Sequence, residues 1–399
     1  MRLHEPERHI PATDAAWDPG RVRAWLRRYA SDALAERAER PWPMHPLDGE
    51  GAEGGPFHGL YLGACGVWLA LARLAAEGYC ALPRGLGDIF EEVLTDYGRA
   101  PDTGACVPSW FLGESGVLTA CCLVRPSDER LDRLAGAIRG NRDNPTCELL
   151  WGAPGTMIAA LCMVEATGDE RWAELYRDSA AVLWERWTAD EVWGTWAWRQ
   201  DLYGQRACYV GAGHGWAGNL HALWRGQEFL KEEQRDVLRA RTLAGLERFA
   251  MVEGELANWP PEPGVTRKML VQWCHGAPGV ITALRHADVP EALPLLTRGA
   301  RLIAAAGPLA KGAGLCHGTA GNGAALLEMY RRTGHAEWLT RAREFAMTAV
   351  DQSEAHFERY GAWRHSLWTG DPGLAWFLLD CLAGVCSGLP GLDVLGLVP

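Results

Sequence analysis

The amino-acid sequence predicts an all-α protein, an (α/α)7 toroid of seven inner and seven outer helices in a single domain spanning residues 1–399. Three observations support this fold class. A Gly-x-x-Gly pair recurs seven times, an apolar stretch follows each pair, and charged amphipathic stretches lie between the repeats. Strand signals are weak along the whole chain. A chain of this length can bury a large core as one domain.

The glycine pairs are the repeating unit. A single Gly-x-x-Gly carries no information, but seven of them, each followed by an apolar run such as VWLALARLA, indicate a repeat. Glycine permits a tight turn and a close backbone approach at the start of each inner helix. The pairs are GACG at 63–66, GESG at 113–116, GAPG at 152–155, GWAG at 215–218, GAPG at 276–279, GTAG at 318–321 and GDPG at 370–373.

The stretches between the repeats carry apolar residues at steps of three and four, which predicts amphipathic outer helices. Paired helices that repeat either stack as an open solenoid or close into a ring. The spacing of the repeats, 39 to 63 residues, is less regular than in most solenoids and favours the ring. The outer stretches are 21–39, 86–98, 127–139, 169–188, 232–252, 290–306 and 336–352.

Composition excludes several function classes. The net charge is −11 and basic residues are scattered, which argues against a nucleic-acid partner. No apolar run reaches the ~18 residues of a membrane span. The polar N-terminus, MRLHEPERHIPATD, has no secretory signal, so a cytoplasmic location is expected. Disulfides are rare in that compartment, and most of the twelve cysteines are therefore expected to be reduced core residues.

Thiols and imidazoles flank the later glycine pairs. In a ring of helices all seven glycine turns lie on one face, so these residues are expected to meet. Cys274, Cys316 and His317 form a two-thiolate, one-imidazole set that suits Zn²⁺ and leaves a fourth position open. The ligand spacing is not that of a zinc finger, and two reduced cysteines with a hydrogen-bonded histidine are the ordinary alternative. The flanking residues are Cys147, Glu148, His214, Cys274, His275, Cys316, His317, Arg364 and His365.

Such a site would hold a third thiol as a thiolate, because coordination to a metal deprotonates it. The thiolate would attack an electrophilic carbon, and His214 or His275 would protonate the carbanion or enolate that results. A histidine bonded to backbone at a helix N-terminus is the alternative interpretation of His214.

The chain resembles the lanthionine synthetase C-like (LanC-like) proteins, and the similarity covers nearly its whole length. The resemblance is most specific in three motifs, GAGHGWAGN, QWCHGAPGV and KGAGLCHGTAGNG. The resemblance implies the (α/α) toroid, Zn²⁺ bound by Cys274, Cys316 and His317, and His214 as an acid or base. It implies an enzyme that adds a thiol to the β-carbon of dehydroalanine or dehydrobutyrine and forms a thioether. Peptide-cyclising members use a cysteine of the same peptide and close a lanthionine ring, whereas eukaryotic-type members add glutathione.

Several positions are similar to the glutathione-adding branch. The cyclising members carry a tyrosine after the first zinc cysteine and an arginine four residues before it, and here these positions are His275 and Leu270. Lys311 matches a lysine that contacts glutathione. Arg364 corresponds to a glutathione-binding arginine, although the loop here is shorter. Glu148 matches an acidic position, where an acid that only complements the helix dipole is an equal alternative.

The remaining alternatives concern substrate and partners. The substrates implied are a peptide or protein with dehydroamino acids and a thiol donor, and a lanthipeptide dehydratase is a candidate partner. A tryptophan-rich segment around 183–206 is expected to be an inserted loop, anchored by its aromatic residues or forming an aromatic wall for a peptide. A non-catalytic zinc-bearing peptide-binding protein is the second hypothesis.

An α/α-toroid glycoside hydrolase is the third hypothesis, and it would use two of the carboxylates of Glu114, Glu148 and Asp371. The sequence does not distinguish glutathione from an internal cysteine. It also leaves open the peptide substrate and the oligomeric state.

Overall fold

A computed structural model describes residues 2–13, 16–49, 55–265 and 267–397. Within these ranges the chain forms fourteen α-helices and three short hairpins. The chain consists of two compact units. Unit 1 comprises Met1–His9, Pro108–Trp110 and Leu134–Gly307, and unit 2 comprises Ile10–Val107, Phe111–Arg133 and Pro308–Pro399.

Seven helices begin directly after the first glycine of a glycine pair, as the sequence predicts. The N-cap residue of each is that glycine. These helices are largely buried, and α6 buries every residue from Ala153 to Met163. They are α2 Ala64–Ala76, α4 Glu114–Val124, α6 Ala153–Thr167, α8 Trp216–Arg225, α10 Ala277–Ala283, α12 Thr319–Thr333 and α14 Asp371–Ala383.

The other seven helices coincide with the predicted amphipathic stretches. In the second of them a single face, Ile89, Phe90, Val93, Leu94 and Tyr97, is buried, at the spacing of a half-covered helix. The charged residues of the opposite face remain in solvent. These helices are α1 Pro19–Glu39, α3 Leu86–Arg99, α5 Asp128–Asn141, α7 Glu170–Glu185, α9 Glu232–Phe249, α11 Leu293–Ala306 and α13 Ala336–Tyr360.

Within each unit the buried helices are neighbours in repeat order. In unit 1, α6 packs on α8 and α8 packs on α10, while α7 and α11 cover α6 and α10. In unit 2, α12 packs on α14, α14 on α2 and α2 on α4, while α13 and α3 cover α12 and α4. The repeats therefore place successive glycine turns side by side within each unit.

The turn before each buried helix folds back onto the helix N-terminus. The N–H of Thr319 donates to the carbonyl of Gly312 at 2.8 Å, which satisfies a donor that has no partner inside the helix. A Cβ at Gly321 would lie 1.8 Å from the carbonyl oxygen of Leu315, so only glycine fits there. A Cβ at Gly66, Gly155, Gly218, Gly279 or Gly373 would likewise lie 1.9 to 2.3 Å from the carbonyl oxygen six residues upstream.

Three hairpins interrupt the helical pattern. They are β1 Thr188–Asp190 with β2 Thr195–Ala197, β3 Gln200–Leu202 with β4 Gln205–Ala207, and β5 Met251–Glu253 with β6 Leu256–Asn258. The first two form most of the segment expected to be an inserted loop. Their strands have three residues each, which is too short for an alternating pattern to be recognised in the sequence.

Aromatic residues anchor the hairpin segment. Trp187 stacks on Trp198 with ring centroids 4.3 Å apart. The guanidinium of Arg241 lies over Trp184, Trp187 and Trp196 at 4.9 to 5.6 Å from the ring centroids. These tryptophans therefore hold the segment against α9, in agreement with the anchoring interpretation of the tryptophan-rich sequence.

Candidate functional site

Glu148 and His214 form a hydrogen-bonded pair at the turns of two successive repeats in unit 1. The Oε2 of Glu148 lies 2.9 Å from Nδ1 of His214. The carboxylate also accepts hydrogen bonds from the backbone N–H groups of Leu150 and Trp151, at 3.0 and 2.6 Å. Glu148 is wholly buried. These donors fix the carboxylate, so the imidazole is oriented with Nδ1 on Glu148 and Nε2 left for chemistry.

The electrostatic surroundings favour the charged form of His214. Burial alone would lower the pKa of the imidazole, but the hydrogen bond and the negative charge of Glu148, together with the nearby Cys274, outweigh it. The net result is a pKa above the usual histidine value. A raised pKa lets a histidine keep its proton to higher pH than an ordinary histidine does, which suits a general acid.

Cys274 and His275 lie beside this pair. The N–H of Gly213 donates to the carbonyl of Cys274 at 3.3 Å. The Nε2 of Gln272 donates to the Sγ of Cys274 at 2.9 Å. A hydrogen bond of this kind stabilises the thiolate form of a cysteine, which is the form that binds a metal. The sequence analysis missed Gln272, although it stands two residues before Cys274 in the QWCHG motif.

His275 differs from His214 in its environment. Its ring centroid is 6.2 Å from that of His214 and 5.7 Å from that of Tyr209. Burial lowers the pKa of His275, and the positive charge of a protonated His214 lowers it further, against an opposite effect of Cys274. The two histidines therefore have opposite tendencies: His214 tends to be charged and His275 to be neutral.

In unit 2 the turn before α12 carries Cys316 and His317. The Sγ of Cys316 and a ring nitrogen of His317 lie within 4.8 Å of each other, a separation that allows both to bind one metal ion. The N–H of Cys316 donates to the carbonyl of Trp368 at 2.7 Å, so the turn is tied to the turn of the next repeat. Lys311, at the start of the same turn, is exposed.

Arg364 is engaged by a carboxylate of its own unit. Its Nε donates to Oδ2 of Asp48 at 2.9 Å, and its Nη2 contacts Oδ1 of the same residue. The hydroxyls of Ser366 and Thr369 also donate to Asp48, at 3.2 and 2.7 Å. Arg364 is 7 % exposed. Asp48 therefore already occupies the Nε and Nη2 side of this guanidinium, and the role of Arg364 in binding glutathione stays a prediction.

The carboxylates considered for glycoside hydrolysis are each held by neighbours. Glu114 pairs with Arg133, and Asp371 accepts hydrogen bonds from the hydroxyl of Ser353 and the N–H of Arg364. Burial raises the pKa of Asp371, against the opposing effect of these donors. Because all three acids are engaged by neighbouring side chains or backbone N–H groups, the geometry within each unit offers no support for the hydrolase hypothesis.

Comparisons with known proteins agree on one family. The family model described as lanthionine synthetase C-like protein matches residues 58–394. A protein of Danio rerio, glutathione S-transferase LANCL1, is 28 % identical over 321 residues, which cover 72 % of this chain and 74 % of the relative. LanC-like protein GCL1 of Arabidopsis thaliana is 30 % identical over 201 residues, covering 47 % of this chain and 43 % of that protein.

Among solved structures, nisin cyclase is similar with a TM-score of 0.62 and 15 % sequence identity, covering 89 % of this chain and 93 % of that one. At this identity the similarity shows the fold alone, and it confirms the predicted class, a mostly helical fold of the LanC-like toroid type. Among the described residues, the helices are all too short or too polar to cross a membrane.

Proposed function

Because the chain belongs to the lanthionine synthetase C-like family, we propose that it is a zinc-dependent enzyme that adds a thiol to dehydroalanine or dehydrobutyrine residues. The product is a thioether at the β-carbon. The observation that carries the proposal is the hydrogen-bonded Glu148–His214 pair beside Cys274, with His214 poised as a proton donor. A protein that only binds peptides has no need of an imidazole whose pKa is raised by a buried carboxylate.

We propose Cys274, Cys316 and His317 as the metal ligands. The donor set fits zinc, since two thiolates and one imidazole are soft ligands that bind it well. A bound zinc ion would have one open coordination position for a thiol. Coordination there would lower the pKa of the thiol and hold its sulfur in place. The hydrogen bond from Gln272 already stabilises the thiolate form of Cys274.

His214 is proposed as the acid of the addition. The thiolate sulfur forms a bond to the β-carbon, the π bond between the α- and β-carbons breaks, and its electron pair moves to the α-carbon. Nε2 of His214 donates a proton to the α-carbon, which completes the addition. The thiol has released one proton to solvent, and His214 takes up one proton from solvent afterwards, so the number of protons is unchanged overall. Glu148 keeps Nδ1 protonated and stabilises the imidazolium before the transfer.

His275 has a different proposed role. Its lowered pKa leaves it neutral near pH 7, so it is a poorer proton donor than His214. A neutral imidazole beside the acid can still hydrogen-bond to the carbonyl of the unsaturated residue and stabilise the negative charge that develops on that carbonyl oxygen. Between the two histidines, we therefore assign proton transfer to His214.

We propose glutathione as the thiol donor. The zebrafish relative, similar over most of its length, is named a glutathione S-transferase. His275 and Leu270 stand where cyclising members carry tyrosine and arginine, and the exposed ammonium of Lys311 can pair with a carboxylate of glutathione. Glutathione and twelve reduced cysteines both suit the cytoplasm. Ring closure on an internal cysteine, with a dehydratase as partner, is the competing reaction.

The test offers glutathione to two dehydroalanine peptides, one with an internal cysteine and one without. We expect both products to gain the mass of glutathione, whereas ring closure would leave the mass of the first peptide unchanged. The purified protein should contain one zinc per chain. Cys316→Ala should lose zinc and activity together, and Cys381→Ala, a buried cysteine outside the turns, should keep both. Metal-free wild-type protein with full activity would refute the zinc proposal.

A further inference from the structure

The tip of the β3–β4 hairpin carries an exposed tyrosine in an unfavourable backbone conformation. Leu202 pairs with Gln205, which leaves Tyr203 and Gly204 as a two-residue turn. Both have positive φ angles, 54° and 71°. Such a turn favours Asn-Gly or Gly-Gly, and tyrosine is strained there. Tyr203 is also 72 % exposed, so burial of its ring does not offset this strain.

The ring of Tyr203 lies beside the Glu148–His214 pair. Its hydroxyl accepts a hydrogen bond from Nε1 of Trp151 at 3.0 Å, and the two rings are nearly perpendicular with centroids 6.4 Å apart. The ring centroid of His214 is 6.3 Å away. The backbone N–H of Trp151 donates to Oε1 of Glu148. The exposed ring of Tyr203 therefore borders the proposed proton donor, and Trp151 holds that ring from the turn that carries Glu148.

The hairpin tip is held in this position by the segment around it. The N–H of Asp201 donates to the carbonyl of Pro145 at 3.0 Å, and the N–H of Tyr209 donates to Oε1 of Gln200 at 2.8 Å. Nε1 of the buried Trp198 donates to the carbonyl of Leu183 at 2.8 Å. A ring supported in this way is pre-organised for binding, since little conformational freedom is lost when a ligand packs on it.

We propose that Tyr203 and Trp151 form an aromatic clamp that binds the peptide on either side of the dehydroamino acid. This inference rests on the proposed function, and it identifies the residues that would select a peptide as the acceptor of the thiol. Planar peptide groups and apolar side chains pack well on aromatic faces. A peptide presents them on both sides of the unsaturated residue, whereas a small unsaturated amide has no neighbouring residues to pack on the rings. The clamp would hold the acceptor so that its α-carbon faces His214.

The test uses Tyr203→Gly, which removes the ring while giving the turn a residue that suits its positive φ. Calorimetry measures binding of a cysteine-free dehydroalanine peptide without any thiol present, so no reaction occurs. We expect the dissociation constant to rise about three- to tenfold, the range of an aromatic contact. Val192→Gly, at the exposed tip of the β1–β2 hairpin, is the control and should bind the peptide as the wild type does.

Kinetics with glutathione provide a second measurement. Tyr203→Gly should raise the KM for the peptide and leave unchanged the KM for glutathione and the rate with N-acetyldehydroalanine methyl ester. Wild-type peptide affinity in Tyr203→Gly, or an equal loss with the small acceptor, would overturn the clamp. If the wild type catalyses no thiol addition, the proposed function fails, and the calorimetric comparison still decides whether the clamp binds peptide.

Discussion

The carboxylate of Glu148 lies 2.9 Å from Nδ1 of His214, although 66 residues separate them in the chain. Each residue stands at the turn before a buried helix, and α6 and α8, the helices concerned, pack on each other in unit 1. The repeat therefore brings an acid from one turn against an imidazole from the next. The proposed proton donor therefore depends on a contact between two groups that are ordinary when considered separately.

The first prediction concerns the pH dependence of the addition. A raised folded-state pKa means that His214 carries its proton at pH values below this pKa and loses it as pH rises through it. The rate should therefore fall on the alkaline side. Glu148→Gln removes the negative charge, lowers the pKa of His214, and should move this falling limb to lower pH. A pH profile of kcat measures the shift.

Two further variants test whether His214 causes the alkaline fall in kcat. His214→Asn should lower kcat by about 10²- to 10⁴-fold and lose the His214 limb altogether. Glu170→Gln, which affects an exposed pair with Arg177, should keep the wild-type profile. An unchanged limb in Glu148→Gln would show that another group controls the proton transfer.

The sequence was sufficient to predict the helices and to place the candidate site residues in the turns before them. All seven first glycines are the N-caps of buried helices, as the repeat implied, because the turn needs close backbone contact that few other residues permit. The residues just before these glycines, such as His214 and Cys316, lie in the turns for the same reason. The pairing of Glu148 with His214 was not foreseen, since a repeat predicts proximity but not which side chains bond.

Asp48 and Tyr203 illustrate what a sequence pattern omits. Asp48 pairs with Arg364 across 316 residues, and no periodicity links a loop near the N-terminus to the last repeat. Tyr203 occupies a turn position at which its residue type is disfavoured, so propensity argues against the hairpin that forms. Long-range pairs and strained turns depend on tertiary packing, which local composition does not specify.

The second prediction concerns Gln272 as a support of the proposed metal site. Its Nε2 donates to the Sγ of Cys274, and removal of a group that hydrogen-bonds to a metal ligand commonly lowers metal affinity by about 10- to 100-fold. Gln272→Leu should weaken zinc binding by that factor without abolishing it. Competition with a chromophoric chelator measures the affinity. Gln227→Leu, which removes a hydrogen bond to the carbonyl of His286, should bind zinc normally. Equal affinities in both variants would contradict the role of Gln272.

The third prediction concerns the stability contributed by Asp48. Burial would raise the pKa of this carboxyl, but the hydrogen bond and charge of Arg364, with the hydroxyls of Thr369 and Ser366, hold it below its usual value. A lowered folded-state pKa contributes stability above the unfolded pKa of about 3.9, and this stability is lost as pH falls through the folded-state pKa. Asp48→Asn also leaves a buried guanidinium without its counter-charge, at a cost of about 3–5 kcal/mol near pH 7.

Urea unfolding at two pH values separates these effects. The difference in unfolding free energy between wild type and Asp48→Asn should be large at pH 7 and should shrink below the unfolded pKa of a carboxyl. Asp88→Asn, which breaks an exposed pair with Arg125, should cost about 1 kcal/mol or less. A difference that is the same at both pH values would show that Asp48 contributes no stability through its charge.

The fourth prediction separates the two thiol donors through Lys311. Lys311 is exposed five residues before Cys316, and an ammonium at this position would attract a glutathione carboxylate. Lys311→Ala should raise the KM for glutathione about three- to tenfold while leaving kcat near the wild-type value, because a partly exposed ion pair contributes little more than this. The KM for 2-mercaptoethanol, which has no carboxylate, should not change. Lys231→Ala, at the start of α9, is the control for loss of a surface charge. Equal KM changes with both thiols would argue against a carboxylate contact and leave an internal peptide cysteine as the better-supported donor.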